Sequence, residues 1–195
     1  MAGKFSGNLV ASTSRKDAIG ELFDPAPTTE GNRSRVPELV SKSLGRLAYR
    51  DDELVHFPAG LPGFENERAF LPVERSDTKP IIFLQSQATP ELFFVTVPVE
   101  SIDPGYELRL LDEYRQLLEV AGPDHAPGAT LDLLCLAIVH IPEDRSPTAN
   151  LSGPVVINRK RRIGVQAVRD DFRYSAQHPL FAEPRSDGEG GQSCS

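Results

Sequence analysis

The sequence predicts an all-β fold: a compact antiparallel β-barrel with one short helix and flexible N- and C-terminal tails. Three observations carry this expectation. Between Leu44 and Ala182, short runs of β-branched and aromatic residues recur at intervals of about 8–12 residues, the spacing of sandwich and barrel strands. Thirteen of the seventeen prolines fall in the same span, and each removes a backbone donor and fixes φ, which argues against extended helices. Only one segment carries a helical period, which disfavours alternating βαβ units.

Taken in order, residues 1–43 mix Ser, Thr, Gly, Asn and Pro with scattered charges and lack any sustained period, so they read as a flexible N-terminal extension. Within it only "KDAIGELF" has the makings of a helical turn. The domain is expected over residues 44–182. Its strand candidates are "ELVHF", "IIFLQS", "FFVTV" and "YELRL", then the longer "LDLLCLAIVHI", "GPVVIN" and "RIGVQAV". "LDLLCLAIVHI" is too uniformly apolar to alternate, which predicts a central strand covered on both faces. The helix candidate is "LDEYRQLLEVAG", with Asp112 as N-cap, Leu111, Tyr114, Leu117 and Leu118 on one face, and Gly122 ending it. Residues 183–195, "EPRSDGEGGQSCS", read as a disordered C-terminal tail. There is no internal repeat.

Composition bounds the function. A net charge of −7 over 195 residues argues against broad nucleic-acid binding and towards a partner with a basic face. The acid is concentrated: residues 44–158 hold eight basic and eighteen acidic groups, a net −10. Cys135 and Cys194 form neither a disulfide framework nor a metal-ligand spacing. The first twenty residues lack a continuous apolar run, and no stretch approaches the roughly 18 apolar residues of a membrane span, so a cytoplasmic protein without membrane contact is expected.

The stretch "HFPAGLPGFENERAF" is rich in glycine, but it lacks the Lys-Ser/Thr pair of a phosphate loop and the three glycines of a dinucleotide fingerprint. Proline followed by glycine suits tight turns instead, with Gly60 and Gly63 accepting φ > 0. Such turns lift Leu61 and Phe64, with Glu65 and Glu67 beside them, onto a rigid loop able to anchor a protein partner. The competing reading has Phe57, Phe64 and Phe70 plug one end of the barrel, and on sequence alone the plug is favoured. Nothing marks an enzyme or a cofactor site: HxH, HExxH, CxxC and GxSxG spacings are all absent, and Cys135 in an apolar run reads as inert core. The cluster "NRKRR" brings Arg159 to Arg162 together and keeps a small RNA-binding module as an alternative, although between two strand-like runs it more often forms a solvated hairpin turn.

In combination, "LGRLAYRDDELVHFPAGLPGFENERAFLPVE", "FLQSQATPELFFVTVP", "TANLSGPVVINRKRRIGVQAV" and "FRYSAQHPL" resemble the bacterial flagellar assembly factor FliW family over about residues 44–181. The resemblance implies a compact antiparallel barrel and a non-enzymatic role. Proteins of this family bind newly made flagellin in the cytoplasm, and many bind the translational regulator CsrA; captured flagellin releases CsrA, which then represses flagellin synthesis. The candidate partner-binding residues are accordingly Leu61, Phe64, Glu65, Glu67, Gln85 and Asn150. Gln85, Asn150 and Asn158 are also placed to make side-chain-to-backbone turn bonds. The free protein is expected to be a monomer without cofactor or metal. The sequence departs from the family pattern in its 43-residue extension, in Gly153 where alanine is usual, and in the strongly basic "RKRR".

Overall fold

A computed structural model describes residues 37–120 and 132–181. Eleven strands and one α-helix are formed among them. The strands are β1 (Glu38–Ser41), β2 (Gly45–Ala48), β3 (Val55–His56), β4 (Ala69–Glu74), β5 (Ile82–Ser86), β6 (Phe93–Pro98), β7 (Leu133–His140), β8 (Thr148–Ala149), β9 (Val155–Asn158), β10 (Ile163–Gln166) and β11 (His178–Pro179); the helix α1 is Asp112–Leu117. The order β7-β6-β5-β4-β3-β10-β9 returns to β7 through a β7–β9 pairing, and these seven strands close a barrel. Closure removes free edges along the ladder, and β8 and β11 extend it as a short flap beyond β7.

The pairings are antiparallel except one. β3 and β10 run parallel, joined at His56 and Ile163, with the His56 N–H donating to the Arg162 carbonyl at 2.8 Å. β7 has the expected character of a central strand. Leu134 and Leu136 point into the barrel, while Leu133, Cys135 and Ala137 pack outward under other elements. A strand covered on both faces reads as a continuous apolar run for this reason.

The barrel interior holds Val55, Phe57, Leu61, Phe70, Ile82, Leu84, Leu136, Val155 and Ile157. Three smaller layers cover its outside. The β1–β2 hairpin lays Leu39 and Leu44 over Leu71 and Val73 of β4. Helix α1 sets Leu118 over Val156 and Val165. The chain after β10 brings Tyr174 and Leu180 against Val97, Ala137 and Leu151.

Several expectations need correction. Residues 38–41, assigned to the N-terminal extension, belong to the folded domain, because Glu38–Ser41 form β1 and bury Leu39 and Ser41 against the barrel. The segment "KDAIGELF" and the 183–195 tail lie outside the described residues. "YELRL" forms no strand; side chains hold its backbone instead. The Glu107 N–H donates to Tyr174 Oη at 3.0 Å and Arg169 donates to the Glu107 carbonyl at 2.6 Å, so both backbone groups of Glu107 are satisfied without a ladder. Conversely, "AFLPVE" forms β4 in spite of Pro72. The pairing of β3 with β4 ends at Phe70, so beyond it the proline has no neighbour on that side needing its missing N–H.

Helix α1 spans six residues, fewer than the sequence suggests, and Leu111 rather than Asp112 is its N-cap. Only Leu118 of the expected apolar face is fully buried, while Leu111 and Leu117 are exposed. The helix ends at Glu119, which adopts φ 53°. The Val120 N–H then reaches the Arg115 carbonyl at 3.0 Å and the Glu119 N–H reaches Gln116 at 3.1 Å, the paired bonds of a Schellman cap. Gly122 lies outside the described residues.

A candidate protein-binding face at the barrel mouth

The loop between β3 and β4, which holds most of "HFPAGLPGFENERAF", is built from two tight turns. Gly60 at φ 73° and Gly63 at φ 81° both occupy the left-handed region that the sequence reading assigned to them. A side chain at position 60 has no room, since a Cβ there would stand 2.6 Å from the Glu65 Cα. Pro62-Gly63 sits between Leu61 and Phe64, whose carbonyl and N–H close at 2.7 Å in the pattern of a type II turn. The Gly60 N–H returns to the Phe57 carbonyl at 2.9 Å, and Arg68 clasps the Pro58 carbonyl. The loop is therefore fixed at both ends.

This rigidity separates Leu61 from Phe64. Leu61 is 1% exposed and belongs to the barrel interior, so it supports the loop from beneath and presents nothing to a partner. Phe64 is 40% exposed. Its inner edge meets Phe94 at a centroid distance of 5.1 Å and an angle of 85°. Phe94 in turn lies 5.7 Å from Phe70, and Phe70 lies 5.3 Å from Phe57. Four rings thus run from the core to the surface, the outer and inner pairs edge-to-face and the middle pair tilted at 52°, and aromatic pairs of this kind add about 0.5–1.5 kcal/mol each beyond area burial. Phe57 and Phe70 plug the barrel as expected, while Phe64 finishes the row half in solvent.

The acids around Phe64 are held in place. The Gly63 N–H donates to Glu65 Oε1 at 2.8 Å, and that bond, with the nearby Arg68 charge, keeps the exposed Glu65 carboxyl below its ordinary value. Glu67 accepts from Ser86 Oγ through Oε2 and from Thr89 Oγ1 through Oε1, the latter at 2.6 Å. Glu67 thereby ties the β3–β4 loop to the turn after β5. Gln85 organises that turn from below: it is 0% exposed, and its Nε2 donates to the Leu92 carbonyl at 2.9 Å and the Ser86 carbonyl at 3.1 Å. A fully buried amide does not touch a partner, so Gln85 shapes the face without belonging to its surface.

Asn150 lies apart from this group. Its Oδ1 accepts the Gly153 N–H at 2.9 Å, and Gln166 Nε2 closes the same corner on the Gly153 carbonyl at 2.9 Å. Asn158 likewise bonds backbone: Oδ1 accepts the Lys160 and Arg161 N–H groups at 3.1 Å, and Nδ2 donates to the Leu118 carbonyl at 2.8 Å. Both asparagines make the turn bonds expected of them. The structure thus gathers Phe64, Glu65 and Glu67 at the surface, with Leu61 and Gln85 beneath. Sequence reasoning missed Phe94, Ser86 and Thr89, because only strand register brings "FFVTV" and "LQSQAT" to the Phe64 loop.

The basic hairpin between β9 and β10 is largely neutralised. Lys160 pairs with Asp132 at 2.8 Å and Arg161 with Glu119 at 3.2 Å. Arg162 is half-buried beside Asp52 and Glu53, and burial lowers the pKa of its guanidinium. These cations face carboxylates of their own chain. Cys135 is also accounted for: burial pushes its thiol up to about 12, far from a reactive thiolate. Among the described residues no three His, Cys, Asp or Glu side chains group as metal ligands, and no helix is long and apolar enough to cross a membrane.

Comparison with known proteins accords with this architecture. A family model described as FliW protein matches residues 38–180. The chain is 31% identical over 155 residues to the flagellar assembly factor FliW of Syntrophomonas wolfei, covering 79% of this chain and 95% of that one. It is 34% identical over 146 residues to the protein of the same name from Geobacillus kaustophilus, covering 75% and 96%. The crystal structure of a flagellar assembly factor FliW superposes with a TM-score of 0.65 at 32% identity, covering 75% of this chain and 98% of the other.

Proposed function

This chain belongs to the FliW family of flagellar assembly factors, and from that premise we propose that it binds newly made flagellin in the cytoplasm and antagonises the translational regulator CsrA. The observation that carries the proposal is the row of four rings ending in a half-exposed Phe64 on a loop fixed by two positive-φ glycines. A rigid aromatic backed by a packed core loses little entropy on binding, which favours its use as an anchor.

The chemistry of the face suits an amphipathic helix. Before export, flagellin has terminal helices whose apolar faces are unburied, and Phe64 with the edge of Phe94 offers such a face a short apolar seat. Glu65 and Glu67 supply an acidic rim. The acidic balance of residues 44–158 favours approach to the basic surface that CsrA, as an RNA-binding protein, must carry. When flagellin accumulates it captures this factor and frees CsrA, so synthesis follows export.

The test is a titration of the full chain with the C-terminal region of flagellin, beside stopped-flow association with CsrA at increasing salt. Phe64→Ala is expected to weaken flagellin binding by more than about 1 kcal/mol. The CsrA on-rate is expected to fall as salt rises, and to fall further on Glu65→Lys. Undiminished flagellin affinity in a folded Phe64→Ala protein would place the flagellin site elsewhere.

A further inference from the structure

The chain enters the domain beside the Phe64 face. The Tyr49 N–H donates to the Pro37 carbonyl at 3.1 Å, which fixes the first described residue against the end of β2. The same tyrosine accepts from Gln87 Nε2 at its Oη, also at 3.1 Å. Gln87 follows Ser86, whose hydroxyl holds Glu67, and the Gln87 N–H donates to the Ala69 carbonyl at 3.0 Å, where the β3–β4 loop ends. One side chain therefore separates the point where residues 1–36 join the domain from the rim of the face.

Within those residues, "SRKDAIGELFDP" (14–25) carries the signals of a short amphipathic helix. Ser14 and Asp17 have capping-box spacing, and Pro25 stops the run. At 100° per residue Ile19, Leu22 and Phe23 fall within about a 100° sector, with Arg15 inside it and Lys16 at its border. Asp17, Glu21 and Asp24 fall together on the opposite side. Such a run is shorter than the about 12–15 residues an isolated helix needs in water, so winding depends on a surface that covers its apolar side. We propose that Ile19, Leu22 and Phe23 dock on Phe64 and the edge of Phe94 in their own chain, where, on the flagellin-binding reading above, they compete with flagellin.

Reach, charge and tethering favour this occupant. Residues 24–36 span about 40 Å when extended, and they start from a point next to the rim. With the apolar side down, Arg15 and Lys16 come to the side of exposed Glu65, and the three acids turn to solvent. The seat is small, but a tether holds the segment at an effective concentration on the order of 1 mM, so a contact with a Kd of about 0.5 mM stays occupied about two-thirds of the time. The family match begins at residue 38, so the contact belongs to this chain rather than to the family fold.

The chain contains no tryptophan, so Phe23→Trp in the full-length protein puts a single fluorescent reporter in the segment itself. Its indole is expected to quench less with acrylamide than in the urea-unfolded chain, at every protein concentration. Adding Phe64→Ser, checked for a cooperative melt, or Leu22→Asp, which lies outside the described domain, is expected to expose it. An indole as accessible as in urea overturns the proposal, and so does protection that survives Phe64→Ser. Protection that grows with protein concentration overturns it in favour of a second copy as donor. In a titration with the C-terminal region of flagellin, Leu22→Asp is expected to bind about threefold tighter than the wild type, as removal of an occupant present two-thirds of the time requires. Phe64→Ala is expected to cost more affinity in the Leu22→Asp background than in the wild type, because no occupant is released with it. Equal affinities of Leu22→Asp and wild type overturn the competition. If neither binds flagellin while the indole still needs Phe64 for its protection, the internal contact stands and the flagellin-binding reading falls.

Discussion

The ring of Phe57 fills the space that a side chain at position 164 would need: a Cβ on Gly164 would stand 2.5 Å from Phe57 Cζ and 2.6 Å from Cε1. The glycine lets β10 approach β3 closely enough to make the one parallel pairing in the barrel. Gly164→Ala is therefore expected to cost about 1–3 kcal/mol, because the ring is enclosed by the core and has nowhere to retreat. Urea unfolding measures it, as a lower midpoint with an unchanged slope. An unchanged midpoint would mean that the ring moves aside freely.

Glu119 ends α1 in the left-handed conformation at φ 53°, where glycine is the usual residue. The strain on a side chain there is about 1–2 kcal/mol. Against it stands the exposed ion pair with Arg161 at 3.2 Å, a contact of roughly 0–1 kcal/mol. Glu119→Gly is expected to raise stability slightly, by up to about 1 kcal/mol, in thermal or urea unfolding. A clear loss of stability would mean that the Arg161 pair outweighs the backbone strain.

What the sequence made legible follows from which forces are local. Proline–glycine turns depend on residues next to one another, so Gly60 and Gly63 were readable at sight. The both-faces burial of β7 was readable because it leaves an unbroken apolar run. The failures all involve distant partners. "YELRL" has strand composition, yet Tyr174 and Arg169 take the backbone N–H and carbonyl of its Glu107, and those residues lie about sixty positions away. Pro72 hid β4, because only register shows that β3 has already stopped pairing. At the candidate face, Phe64 and its acids were visible, whereas the burial of Leu61 and Gln85 depends on the closed barrel.

Acid should weaken the pair of Arg169 with Asp171 after β10 in a defined direction. Arg169 forks Asp171, Nε to Oδ1 at 2.9 Å and Nη2 to Oδ2 at 2.5 Å, and holds its carboxyl below its ordinary value. A depressed carboxylate stabilises the fold above its unfolded pKa, and that contribution is lost as pH falls through its folded value. From about pH 5 down to about pH 2 the wild type should lose melting temperature more steeply than Asp171→Asn, which is already without the charge. Parallel curves would show that the pair contributes nothing measurable to stability.

The basic hairpin should bind RNA poorly. Lys160 and Arg161 face Asp132 and Glu119, so few cations are free to displace counterions from a phosphate backbone. Any complex in a fluorescence titration should be weak, fade with salt, and be indifferent to Arg161→Glu. A specific submicromolar complex that survives about 200 mM salt and is lost on Arg161→Glu would make the RNA-binding reading the better one.

The two ends of the aromatic row should separate fold from binding. Phe57 is fully enclosed, so Phe57→Ala leaves a cavity and is expected to cost about 3–5 kcal/mol of stability. Phe64 buries only part of its ring, against Phe94 at 5.1 Å, and Phe64→Ala is expected to cost about 1–2 kcal/mol. The order should reverse in the flagellin titration: Phe57→Ala, assayed well below its melting temperature, retains most of its affinity, and Phe64→Ala does not. That reversal requires Phe64 to be displayed by the fold rather than consumed by it. Should Phe64→Ala melt as early as Phe57→Ala and still bind flagellin normally when folded, Phe64 is a plug of the barrel end and its exposed edge has no part in recognition.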